Sequence, residues 1–138
     1  LDDLQNLRQS GSVPPGHPER EIARGIENTS GPLGQGHTFA VGAAIAAKFL
    51  AANLKNASYD KERIYAYISD GGVQEEISQS AARIAGHLGL NNLIMFYDSN
   101  DIQLSTECSE VTSENTAMKY RECTKHQRQR CNGNTSGT

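Results

Sequence analysis

Asp70 and Asn100 are the residues whose types and spacing point most directly to chemistry. Asp70 follows the β-favouring run Ile64-Tyr65-Ala66-Tyr67-Ile68, with only Ser69 between, and Asn100 lies just beyond a second apolar run, Leu93-Ile94-Met95-Phe96-Tyr97. A carboxylate, an amide oxygen and a nearby backbone carbonyl are hard oxygen ligands. Mg²⁺ takes such ligands in small number and leaves its other positions to water and phosphate. Gly71 and Gly72 let a phosphate approach the backbone closely, and the helix that follows offers N–H donors and a positive dipole end. The spacing therefore fits a Mg²⁺-diphosphate site; it equally fits a capping Asp and a turn Asn.

Those residues need a scaffold that brings them together. Residues 73–88 have helical spacing, with Val73, Ile77, Ala81, Ile84, Ala85 and Leu88 on one side and Gly89 as C-cap. Strand, helix and strand in this order make a βαβ unit with a parallel sheet, so both residues fall at its carboxyl edge, where open α/β sheets bind ligands. Gly71-Gly72 ends the first strand, and Asp98-Ser99-Asn100 ends the second. Upstream, residues 2–9 read as a short helix ended by Gly11, and residues 11–36 as a long Gly- and Pro-rich loop of the kind that carries function. Residues 38–54 read as a helix apolar on nearly every side and so buried all round. A further short helix starts near Ser113 and Glu114.

The chain has 138 residues and a formal net charge of −3, enough for one domain but without the clustered basic charge of a nucleic-acid surface. No apolar run is long enough to span a bilayer. Three cysteines are too few and too odd in number for a disulfide scaffold, which favours a reducing compartment, and they lack the paired spacing of a zinc site. Acidic residues stand where a signal peptide needs basic ones, and there is no initiator Met, so the chain reads as part of something longer. Residues 121–138 carry a local excess of three positive charges and no Leu, Ile, Val, Phe, Met, Tyr or Ala; they read as a disordered or aberrant tail to a domain at 1–120.

Several stretches, in order, look like one family. Gly16-His17-Pro18-Glu19, then Thr29-Ser30-Gly31-Pro32-Leu33-Gly34-Gln35-Gly36, then Ala85-Gly86-His87-Leu88-Gly89-Leu90 and Tyr97-Asp98-Ser99-Asn100 resemble transketolase, in its N-terminal domain that binds the diphosphate of thiamine diphosphate. Ser69-Asp70-Gly71 followed by Asn100 is similar to the wider thiamine diphosphate motif. The resemblance covers residues 1 to about 120, where relatives continue with an apolar, aromatic strand and this chain does not. It implies an α/β fold, a parallel sheet with flanking helices forming part of a thiamine diphosphate-binding fold.

It also implies roles. Asp70 and Asn100 are then side-chain ligands of Mg²⁺ (or Ca²⁺), and Ile102 gives its backbone carbonyl. Gly71 contacts the diphosphate, Glu75 lies near the cofactor, Gly31 and Leu33 line its site, and His17 reaches the substrate. The implied activity is transfer of a two-carbon ketol unit between sugar phosphates in a cytoplasmic homodimer, whose second subunit supplies the pyrimidine-binding domain. Without that domain the chain alone is expected to be inactive. Dihydroxyacetone synthase, deoxyxylulose-phosphate synthase, a split transketolase subunit and a non-catalytic Mg²⁺-phosphate module are the alternatives. Two positions depart from the family pattern: Ser69 replaces the first Gly of Gly-Asp-Gly, and Glu76 and Ser80 replace a Gly and a second Glu.

Other residues have plain readings. His87 suits a helix C-terminus, His37 opens the buried helix and packs, and Phe96 and Tyr97 belong to the core.

Overall fold

The computed structural model describes residues 2–54 and 57–123. Its elements are α1 (Asp2–Gln5), a 3-10 turn (Ile22–Arg24), α2 (Gln35–Leu54), α3 (Ala57–Asp60), β1 (Ile64–Ser69), α4 (Asp70–Gln74), α5 (Glu76–Leu88), β2 (Leu93–Asp98), β3 (Ile102–Gln103), β4 (Thr106–Glu107), α6 (Cys108–Val111) and α7 (Thr116–Cys123). They fall into two units, Leu1–Pro32 and Leu33–Thr138.

In the second unit β1 and β2 pair in parallel, from Ile64 opposite Leu93 to Ser69 opposite Asp98. This is the expected βαβ unit, and its register delivers Asp70 and the segment after Asp98 to one edge. Between the strands the chain departs from a single helix over 73–88. Gly71 and Gly72 do not end β1 but form the first turn of α4, and Glu75, at φ −62° and ψ 130°, breaks the helix before α5 begins. The expected cap holds: the Gly89 N–H donates to the carbonyls of Ala85 and Gly86.

The core is built from small side chains. Val41, Ala44, Ala81 and Leu90 form its centre, with Ile64, Ala85 and Leu93 packed around them. Asn92 secures this layer across a long sequence separation. Its Nδ2 donates to the Ala44 carbonyl at 3.0 Å, and its own carbonyl accepts the Ile64 N–H at 2.8 Å. The buried Asn92 thus joins the middle of α2 to the start of β1.

Three burial expectations need correcting. α2 is buried only along His37, Ala40, Val41, Ala44 and Ala47, while Phe39, Phe49 and Leu54 are exposed. Although the sequence shows no uninterrupted apolar run of membrane-spanning length, α2 is long and apolar enough by length and composition to cross one; its buried stripe packs on β1 and α5. On α5 the buried residues are Ser78, Gln79, Ala81, Ala82 and Gly86, whereas Ile77, Ile84 and Leu88 are exposed. Close packing selects the small side chains: an added Cβ on Gly86 would collide with the Cys123 carbonyl oxygen at the end of α7. The strands are not buried on both faces. Ala66 and Ile68 point inward, while Tyr65, Tyr67 and Phe96 are exposed, with Tyr67 and Phe96 stacked at 5.0 Å.

The remaining elements follow expectation more loosely. α1 stops at Gln5, well short of residue 9. α7 begins later than Ser113, with the Asn115 Oδ1 accepting the Met118 N–H at 2.9 Å, and it continues to Cys123, past the expected boundary at 120. The rest of the expected tail lies outside the described residues. In the first unit an isolated antiparallel bridge joins Glu21 to Ile26, and Arg24 pairs with Asp3 and Glu21. These exposed pairs contribute little to stability.

His37 is packed, as expected, and stacks on Tyr120 at 6.2 Å. Burial lowers its pKa below 6.5, and among the described residues its Nδ1 finds no partner. The unfolded chain therefore binds a proton at His37 that the folded chain refuses. That contribution to stability is complete above pH 6.5 and is lost as the pH falls from there through the lowered pKa of the folded chain. Urea denaturation between pH 8 and 5 should show this loss, and His37→Phe should flatten it.

Candidate functional site

The site begins with the placement of Asp70 at the first position of α4, where its side chain is only 3% exposed. A carboxylate out of water must be met by donors. Tyr97, from the far end of β2, donates its O–H to Oδ1. The Asn100 and Asp101 N–H groups donate to Oδ2 at 3.0 and 2.9 Å. Burial pushes the Asp70 pKa up, but these bonds, together with one from the Cys108 thiol, outweigh it and hold the carboxyl below its usual range. Asp70 is ionised at neutral pH.

The backbone after β2 is shaped for this contact. Asp101 has φ 62°, the left-handed conformation in which Asp is tolerated better than most residues. The turn aims successive N–H groups at one carboxylate oxygen. Asn100 Oδ1 accepts the Ile102 N–H at 3.1 Å, and Nδ2 reaches Asp98 at 3.3 Å, so the amide is oriented and its oxygen keeps a free lone pair. Ile102 then starts the β3–β4 hairpin, in which it pairs with Glu107.

The expected residues of the second unit converge on one another. Leu33 lies over Gly71, with its Cδ1 3.5 Å from where a Gly71 side chain would start. Gly34, at φ 83°, sits against the first turn of α5, where an added Cβ would meet Ile77 at 2.8 Å, Ser78 at 2.9 Å and Glu75 at 3.1 Å. Only glycine fits there, and it brings this turn against Glu75 while Leu33 lies over Gly71. Ser69, at φ −102° and ψ 176°, is in extended backbone open to any residue, so the site does not need the missing glycine.

In the first unit, His17 and Gly31 meet. Gly31 has φ 153°, and a side chain there would start 3.1 Å from the His17 Cβ and Cγ. The exposed imidazole lies in a cleft with Glu19, Thr29 and Ser30, whose shape is fixed by the Ser30 N–H donating to the Pro18 carbonyl and the Arg20 N–H to Thr29 Oγ1, both at 3.0 Å.

Sequence reasoning missed Tyr97 and Cys108. Tyr97 is not simply core: it is a donor to Asp70. Period-2 alternation in β2 carries the signal, since Tyr97 lies on the side of Leu93 and Met95 and pairs with the inward Ile68, the last such position before Asp70. Burial and the neighbouring Asp70 and Asp101 raise the Cys108 pKa, opposed by the Gln103 amide 3.7 Å from its sulfur, so the thiol stays protonated and donates to Asp70. Nothing in the spacing of the cysteines foretells this. Among the described residues no three His, Cys, Asp or Glu side chains cluster as a metal set.

A parallel α/β domain with a buried, ionised Asp at its strand edge and a glycine-framed loop beside it belongs to the class that binds phosphorylated ligands at the carboxyl ends of its strands. Residues 1–137 match the transketolase, thiamine diphosphate binding domain family, and the chain belongs to that family. It is 44% identical over 122 residues to transketolase from Physarum polycephalum, covering 87% of this chain and 18% of that protein. Transketolase from Leishmania mexicana superposes with a TM-score of 0.78 at 44% identity, over 88% of this chain and 18% of that one. A Pichia stipitis transketolase in complex with sedoheptulose-7-phosphate superposes with a TM-score of 0.76 at 35% identity, over 89% and 18%. The chain thus spans about a fifth of the length of such relatives.

The left-handed turn at Asp101 gives a test. Asp101→Gly should keep stability within about 1 kcal/mol, whereas Asp101→Val should cost about 1–3 kcal/mol. Chemical denaturation of the two variants beside the parent protein measures both.

Proposed function

We propose that this domain anchors the diphosphate of thiamine diphosphate through Mg²⁺ in a transketolase, which moves a two-carbon ketol unit from a ketose phosphate to an aldose phosphate. The carrying observation is the Asp70 carboxylate, buried and ionised, tied across the strand ends to the loop that presents Asn100 and Ile102. This donor set is oxygen-only and fits a hard cation, Mg²⁺ or Ca²⁺. Asp70 and Asn100 would give side-chain oxygens, and Ile102 its carbonyl. The Gly71 backbone approaches the diphosphate, Glu75 stands at the break between α4 and α5 near the cofactor, and Leu33 and Gly31 line the cofactor site. His17 hydrogen-bonds the hydroxyl or carbonyl oxygens of the sugar. The bound cofactor supplies the carbanion and the electron sink for carbon–carbon cleavage.

The ketose phosphate held by the Pichia stipitis relative supports the substrate class. Family membership supports a cytoplasmic homodimer whose partner subunit completes the site with its pyrimidine-binding domain. Residues 1–120 form the cofactor-anchoring portion, with 121–138 outside its chemistry.

Two variants separate anchorage from substrate contact. Asp70→Ala removes the charged ligand, and Mg²⁺-dependent cofactor binding by calorimetry should weaken by at least a hundredfold; unchanged affinity would refute the metal assignment. In the full-length protein that carries this domain, His17→Ala should retain cofactor affinity within about threefold while ketol transfer falls about a hundredfold or more. Equal loss of both would place His17 in the cofactor site instead.

A further inference from the structure

The Tyr97 hydroxyl has one proton to give and two lone pairs to fill. The proton goes to Asp70 Oδ1. The Ser99 and Thr116 side chains line the same cleft and lower the pKa of the phenol, against the opposing effects of burial and Asp70. Three parts of the chain thus gather around this one side chain: the first residue of α4, the loop after β2 and the first turn of α7.

The two oxygens of Asp70 are held by different means. Oδ2 is fixed by the Asn100 and Asp101 N–H groups at 3.0 and 2.9 Å, and Oδ1 by Tyr97. Rotation about the Cβ–Cγ bond of an Asp is a soft, roughly two-fold torsion. Backbone donors clustered on Oδ2 leave that rotation partly open, and a second anchor at Oδ1 closes it. We propose that Tyr97 is a positioning residue for the metal-ligating carboxylate, its hydroxyl fixing the direction in which Asp70 presents its remaining lone pair. The proposal rests on the reading of Asp70 as a metal ligand.

Metal discrimination follows from this role. Mg²⁺ demands near-ideal octahedral geometry at short range, whereas Ca²⁺ accepts longer and more irregular coordination. A carboxylate that swivels is therefore a poorer ligand for Mg²⁺ than for Ca²⁺. A purely structural loss lowers the affinity for both ions alike.

The test is Tyr97→Phe in the full-length protein that carries this domain; the substitution keeps the ring and removes the hydroxyl. Mg²⁺ and Ca²⁺ are titrated separately at saturating thiamine diphosphate and binding is followed by calorimetry, with Asp70→Asn in parallel. The expected result is a loss of about tenfold in Mg²⁺ affinity and less than threefold for Ca²⁺. Equal losses for the two ions, or no loss for either, overturn the positioning role. Should Tyr97→Phe not fold, Thr116→Val removes the hydroxyl beside the phenol and should shift the Mg²⁺/Ca²⁺ preference in the same direction by a smaller factor; an unchanged preference overturns the proposal. Loss of metal binding in Asp70→Asn beside parent-like Tyr97→Phe affinities defeats the positioning role alone. Unchanged binding in Asp70→Asn defeats the metal reading and the proposal with it.

Discussion

An ionised carboxylate held out of water at the end of β1 is the constraint around which the second unit is arranged. Asp70 is 3% exposed, and without donors its charge would be costly there. Tyr97 comes from β2, two N–H groups from the turn that follows, and the Cys108 thiol from α6. Each has to arrive at the right distance, so the parallel register, the left-handed Asp101 and the short β3–β4 hairpin answer to one residue. The negative charge is already formed and held in place by the fold, so a cation binding there would require less reorganisation.

Small residues give this edge its support. α2 meets β1 and α5 through alanines and Val41, and Asn92 ties the middle of α2 to the strand it covers. At the start of α2 the turn through Gly34 presses on Glu75, Ile77 and Ser78, and leaves Leu33 over Gly71. A bulkier interface would keep these groups apart. In the first unit the same economy brings Gly31 against His17.

Much of this is legible in the chain itself. The two apolar runs with a helix between them specify a parallel pair, and the pair specifies that Asp70 and the Asn100 turn share an edge. Gly89 announces the end of α5. Apolar character alone misleads about which faces are covered. Ile77, Ile84 and Leu88 have the spacing of a buried stripe, yet Gly86, Ala82 and Ser78 take the inner side because helices approach closest where side chains are smallest. The helix break at Glu75 and the first turn through Gly71-Gly72 depend on backbone dihedrals that adjacent residue types do not dictate. Tyr97 was hidden by its aromatic neighbours, since a phenol at the end of an apolar strand looks like core until its oxygen is seen to face a carboxylate. Cys108 was hidden by sequence distance from Asp70.

The central claim is that Asp70, Asn100 and the Ile102 carbonyl converge on one cation that also holds a diphosphate. A crystal structure of the full-length protein with Mg²⁺ and thiamine diphosphate tests it most directly. The account predicts one ion held by an Asp70 carboxylate oxygen, Asn100 Oδ1 and the Ile102 carbonyl and in contact with the diphosphate. An ion bound elsewhere, or one that reaches the diphosphate without Asp70, would contradict it.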